Sequence, residues 1–193
     1  MKANNKSILI GGLLAIVLIM AVGYAAFATS LSITGTSKID STWNVAFDTT
    51  VTTGTATGTA TCGTVTYSNN NATATISQTT LTKPSDQCVY NLKVQNLGTL
   101  NASVAAAAIS ECKSTETGST AWTIDSTKKT CTSTSGNTQF IVTSTATTLN
   151  AKSGNTISST DVIVTVKFVD KTVVKSASEA GQVKIGFQAT QAA

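Results

Sequence analysis

Histidine and arginine are both absent from this 193-residue chain. Without histidine, neither a Ser-His-Asp triad nor a Cys-His nucleophile pair can be assembled. The same absence excludes the HExxH zinc helix and every His-based metal site. Charged residues make up only 11% of the chain and aromatics 5%, so the net charge of +4 comes from lysine alone. Those lysines are scattered, and Lys128-Lys129 is the one adjacent pair. Nucleic-acid binding needs a clustered basic face interleaved with stacking aromatics, so no nucleic-acid partner is expected. The nine acidic residues lie far apart, and no Asp-rich loop announces a calcium site, which would have to be assembled across loops. Gly35, Gly54, Gly58 and Gly63 sit among threonines, without the strand–turn–helix setting of a phosphate loop. The reading is a non-enzyme with no catalytic residue, no cofactor and no metal ligand. A single proline and few charges also argue against a disordered tail of the highly charged type.

Threonine, by contrast, makes up about one residue in five, and threonine and valine favour pleated, half-buried surfaces. The four cysteines, Cys62, Cys88, Cys112 and Cys131, include no CxxC pair, which argues against four-cysteine zinc. They fit disulfides in an oxidising compartment. Of the three possible pairings, Cys62–Cys88 and Cys112–Cys131 are favoured because each staples a loop-rich stretch of modest length. Asn71-Ala72-Thr73 and Asn101-Ala102-Ser103 are glycosylation sequons, though such triplets arise easily in a chain rich in Thr and Asn.

The N-terminus has the three parts of an export signal. Lys2 and Lys6 supply the positive end, and Ile8 to Val22 is an apolar run. Gly23-Tyr24-Ala25-Ala26-Phe27-Ala28 is the small-residue exit, with cleavage expected near Ala26 or Ala28. Residues 1–26 are therefore read as a signal peptide that forms a helix. Residues 27–193 are read as one β domain, whose size of about 165 residues allows a real core. In its first stretch, 27–36, Phe27, Thr29, Leu31 and Ile33 alternate with small polar residues, the period of a strand with one apolar face.

Period-two alternation continues along the chain. Trp43, Val45 and Phe47 share a predicted face, and Thr49–Thr61 reads as a loop or a weakly specified edge strand. Val65 and Tyr67, the turn Ser68-Asn69-Asn70-Asn71 and the stretch Ala72–Gln78 predict a hairpin. Tyr90, Leu92 and Val94 mark the clearest strand, and Val104, Ala106 and Ala108 begin a new alternation. Ala121–Asp125 reads as a short strand with Trp122 and Ile124 as its candidate inward residues, and Phe140 and Val142 mark another strand. Val162 to Phe168 and Val183 to Ala189 form two long strands, with one helical turn expected at Ser176–Ala180. Nine or ten strands at regular turn spacing predict an antiparallel sandwich, jelly-roll or Ig-like in general form.

Gly23-Tyr24-Ala25-Ala26-Phe27, then Leu31-Ser32-Ile33-Thr34-Gly35-Thr36 and Trp43-Asn44-Val45-Ala46-Phe47, resemble the signal end and mature start of the TasA/camelysin family of secreted biofilm-matrix fibre proteins. Leu81-Thr82-Lys83-Pro84-Ser85-Asp86, leading into Tyr90–Gly98, is similar to the family's polar turn, strand and Asn-x-Gly, and Ala151–Asn155 looks like a matching later turn. The resemblance consists of short patches, and the four cysteines depart from the best-known members. It implies an extracellular jelly-roll subunit, processed by a dedicated signal peptidase, that polymerises with itself by donor-strand exchange. Minor fibre or anchoring subunits are possible further partners, and the membrane is met only through the uncleaved precursor. Metallopeptidase activity described for some relatives is not carried over, because this chain has no histidine for it. The pattern supports strand donation by itself: an apolar strand that is free to leave can complete a neighbour's sheet, with Phe27, Leu31 and Ile33 filling its pockets.

Two alternatives differ from this reading. Cleavage near Lys6-Ser7 would keep an apolar helix of about 20 residues, as in a type IV-like pilin. A monomeric surface adhesin would keep its first strand in its own sheet; no sorting motif follows Phe187 to anchor it from that end.

Overall fold

A computed structural model describes Leu14 and residues 41–115, 121–169 and 179–192. Apart from Leu14, the expected signal helix lies outside the described residues, as do the cleavage residues Ala26, Phe27 and Ala28 and the donor-strand residues Phe27, Thr29, Leu31 and Ile33. The chain divides into two compact units, Met1–Ile39 and Asp40–Ala193, and the second is described here. No helix of the described residues is long and apolar enough to cross a membrane.

Asp40–Ala193 is all-β among its described residues, and every strand pairing is antiparallel. Its strands are β1 (Val45–Phe47), β2 (Thr55–Thr57), β3 (Val65–Ser68), β4 (Thr73–Leu81), β5 (Gln87–Asn96), β6 (Ala102–Val104) and β7 (Ala108–Ser114). They continue with β8 (Thr123–Ile124), β9 (Thr130–Thr132), β10 (Thr138–Thr143), β11 (Thr147–Leu149), β12 (Ser158–Phe168), β13 (Glu179–Gly186) and β14 (Ala189–Gln191). One sheet runs β1-β5-β12-β10-β9-β8, with β2 also on β5. A second runs β3-β4-β13-β7 and a third β11-β6-β14.

Among the described residues the count of fourteen exceeds the nine or ten expected because seven strands are only two or three residues long. Alternation marks a strand's face but not the point where its ladder breaks. Thus Val183–Ala189, expected as one strand, is divided at Phe187-Gln188 into β13 and β14. The expected alternation of Val104, Ala106 and Ala108 also fails. Val104 pairs with Ala189 and Ala108 with Gly186, so four steps on one strand face three on the other. An extra residue reverses the side-chain phase, and Ala107 and Ile109 are buried instead of Ala106 and Ala108. The helical turn expected at Ser176–Ala180 is not formed at its end, where Glu179 and Ala180 open β13; residues 176–178 lie outside the described residues.

The strongest alternations behave as the pleat requires. Tyr90, Leu92 and Val94 on β5 and Val162, Val164 and Val166 on β12 are all buried, and the two strands pair over ten residues as the sheet's centre. Trp43 is the exception: it precedes β1 and is 46% exposed, while Phe47 is buried. The hairpin of β3 and β4 turns on Asn69, Asn70 and Asn71, with φ of 53°, 53° and 62°. Asparagine tolerates this left-handed region better than other side chains because its short amide can bond locally.

Candidate assembly surface

The third sheet continues the second. The stretch β6–β7 pairs with β13–β14 on both sides of the break, and Ala105 N–H still donates to Gln188 O across it (2.8 Å). This composite layer packs face to face with the sheet of β5 and β12. Buried Thr79 on β4 shares a 2.8 Å hydrogen bond with the Tyr90 hydroxyl on β5, and the Tyr90 hydroxyl donates to Gly63 O. Burial pushes the Tyr90 phenol's pKa up. Trp122 and Phe140 fill the other flank, their rings 5.8 Å apart.

Both cystines tie one layer to the other. Cys62, next to the bridge of Thr61 with Thr80, joins Cys88 on β5. Cys112 on β7 joins Cys131 on β9. This is the pairing favoured by loop length, and no described cysteine is free. The cross-sheet geometry adds a reason that spacing did not reveal: each bond holds the sandwich-like stack closed.

Hydrogen bonds close the same two flanks. On one, Val65 N–H donates to Thr52 O (2.9 Å) and Thr53 bridges Thr64, after which β2 pairs with β5. On the other, Trp122 N–H donates to Cys112 O (3.1 Å) and Ala121 bridges Lys113, after which β8 pairs with β9. Each run leaves one layer and joins the other, so among the described residues neither flank presents a continuous unpaired edge. At one end, Asn96 is fully buried and its amide donates to Leu100 O, Leu149 O and Asn150 O, while its oxygen accepts from Gly98 N–H.

One acidic residue is not a solvated side chain in a turn. Asp86 is fully buried. Its carboxylate accepts from the backbone N–H groups of Thr59 (2.7 Å), Thr82 (2.8 Å) and Lys83 (3.1 Å), and from the hydroxyls of Thr59 and Thr82. Burial pushes its pKa upward, but the bonds from Thr82 and Thr59 outweigh it and hold the group well below the usual carboxylate range. The site clasps the segment after β2 to the turn between β4 and β5. Nothing in Lys83-Pro84-Ser85-Asp86 distinguishes this carboxylate from an ordinary turn residue; its donors come partly from 27 positions away.

The remaining polar groups are committed locally. Lys129 Nζ donates to Ala107 O and to Ser144 Oγ (3.3 Å), which satisfies a carbonyl left over by the strand break. Burial lowers the Lys129 pKa. Tyr67 O–H donates to Val51 O (2.7 Å), and burial together with the charge of Asp48 pushes its pKa to about 12. Glu111 and Lys113 form an exposed ion pair (2.8 Å). The sequons differ in setting. Asn71 is half-buried and its carbonyl accepts from Phe47 N–H, whereas Asn101 is exposed and its side-chain oxygen accepts from Ala151 N–H. Among the described residues, no group of three or more Asp, Glu, Cys or His is placed to hold a metal.

No family model, curated protein or solved structure matches the chain. Its chemistry must therefore be read from the domain itself, a disulfide-stapled double sheet with both flanks closed, whose polar side chains chiefly hold its own backbone.

Proposed function

We propose that the chain is a structural subunit of an extracellular filament, a biofilm-matrix fibre or pilus of TasA/camelysin type, with a jelly-roll or Ig-like domain. The observation that carries the reading is that Asp40–Ala193 forms a compact unit, while the amphipathic stretch Phe27–Ile33 lies N-terminal to it. Phe27–Ile33 has the alternation of a strand with one apolar face, and the edge of a neighbour's sheet can take up such a strand. Donation to the next copy makes a head-to-tail contact that does not close on itself, and such contacts propagate as filaments. The two cross-sheet cystines support the oxidising exterior that this function requires. Residues 1–26 are removed by an export signal peptidase near Ala26 or Ala28, which frees the strand only after export.

The test is negative-stain electron microscopy of protein shed from its native cells, with N-terminal sequencing of the same material. Filaments whose subunits begin near Phe27 or Thr29, and that vanish when 27–33 are deleted from a folded protein, support donation. A start at Ser7 or Ile8 supports a type IV-like pilin instead. Single particles at high concentration support a monomeric surface domain and end the fibre reading.

A further inference from the structure

We infer that the outer edge of β14 receives the donated strand, and that the occupant is Phe27–Ile33 of a second copy. This rests on the strand-donation reading and adds its receiving site.

The direction of the β14 backbone follows from its ladder. Ala105 N–H donates to Gln188 O, and Ala192 N–H donates to Asn101 O. In an antiparallel ladder, residues alternate between those bonded to the partner and those turned away from it. Gln188, Thr190 and Ala192 therefore direct their polar groups to the β6 side. Ala189 and Gln191 direct theirs outward, where no described backbone group meets them. The strand that pairs with β13 on this side, β4, reaches only Thr73, opposite Gly186. Beyond that point, β14 has β6 on one side and no described strand on the other.

Three further observations make this edge a receiving site. Exposed edges are commonly guarded by lysine, proline or a bulge, but Ala189-Thr190-Gln191 carries neither residue and pairs with β6 in continuous register. The core is incompletely covered beside it. Phe187 and Ala189 are only half-buried, and the Phe187 ring meets Phe47 edge-on at 5.1 Å. The flanks of the double sheet are already closed by 51–57 and 121–124. The proposed occupant matches in chemistry: residues 27–36 carry no charge, and Phe27, Leu31 and Ile33 share one face of an extended strand. Its backbone would pair with Ala189 and Gln191 while that face covers Phe187 and Ala189.

The test uses the full chain processed by its own export system, as wild type, as a 27–33 deletion and as Gln191→Pro. Proline at 191 removes an outward N–H and leaves the Thr190 bonds to β6 in place. The expected result is an unchanged melting temperature with a critical concentration for filaments raised roughly tenfold. Amide hydrogen exchange supplies a second measurement that needs no substitution. The Ala189 and Gln191 amides should exchange rapidly in dispersed subunits and slowly in filaments. If filaments need 27–33 but ignore Gln191→Pro, and these amides stay fast, another edge receives the strand; donation survives and this inference does not. If both amides are already slow in dispersed subunits, the strand returns to its own sheet and the inference is overturned. Filaments indifferent to the deletion, or no filaments at all, remove donation and this site with it. If Gln191→Pro lowers the melting temperature, the exchange result decides alone.

Discussion

Replacing Asp86 with alanine tests whether a buried carboxylate organises the loops at one flank of the sandwich. The substitution removes the acceptor for three backbone N–H groups, those of Thr59, Thr82 and Lys83, and for two threonine hydroxyls. A hydrogen bond to a charged group contributes about 1.5–3 kcal/mol, and a buried donor left without a partner costs about 1–3 kcal/mol. Thr59, Thr82 and Lys83 are themselves exposed, so water recovers part of the loss once the carboxylate is gone. We therefore expect about 3 kcal/mol of destabilisation at pH 7, or a fall in melting temperature of roughly 6–12 °C for a domain of this size. Asp86→Asn retains one acceptor oxygen and should lose about half as much. The pH dependence follows from the direction of the shift. The folded carboxyl titrates below the unfolded value of about 3.9, so its contribution is fully present above that pH and fades as pH falls toward the folded value. The gap between wild type and Asp86→Ala should narrow steadily between about pH 4 and pH 2. Thermal melts followed by circular dichroism across this range measure both effects. A variant that melts with wild type at pH 7, or a gap that stays constant as the acid is protonated, refutes the clasp.

Two other perturbations probe the contact between layers. A Cβ on Gly181 would lie 2.4 Å from the Trp122 ring and 3.0 Å from Phe140, both buried, so Gly181→Ala should cost about 1–3 kcal/mol by thermal denaturation. An unchanged melt would mean that this flank is more loosely packed than its geometry implies. Replacing Cys62 and Cys88 together with serine opens a bond of sequence separation 26 and should lower stability by about 3 kcal/mol in chemical denaturation, by the chain-entropy argument. A loss near zero would place the constraint in the hydrogen bonds of that flank rather than in the cystine.

Much of the architecture follows from local periodicity. Alternating Val, Leu and Tyr on β5 and β12 determine which face is buried, because a pleated strand turns successive side chains to opposite sides. Asn69, Asn70 and Asn71 determine the hairpin, because they tolerate the left-handed backbone it needs. The absence of histidine excludes whole classes of catalysis whatever the fold. Tertiary structure decided what periodicity cannot carry. The extra residue between Val104 and Ala108 reverses the expected burial of the alanines, and it becomes visible only against the partner strand. Asp86 is a clasp and not a surface acid because Thr59, remote in sequence, is brought to it. The cystines span the two layers because β7 and β9, like the approach to β3 and β5, meet across the core. Among the described residues β14 has one side without a partner strand because the β4 ladder ends at Thr73, opposite Gly186 and short of Ala189, a fact of pairing between distant segments that neither segment states alone.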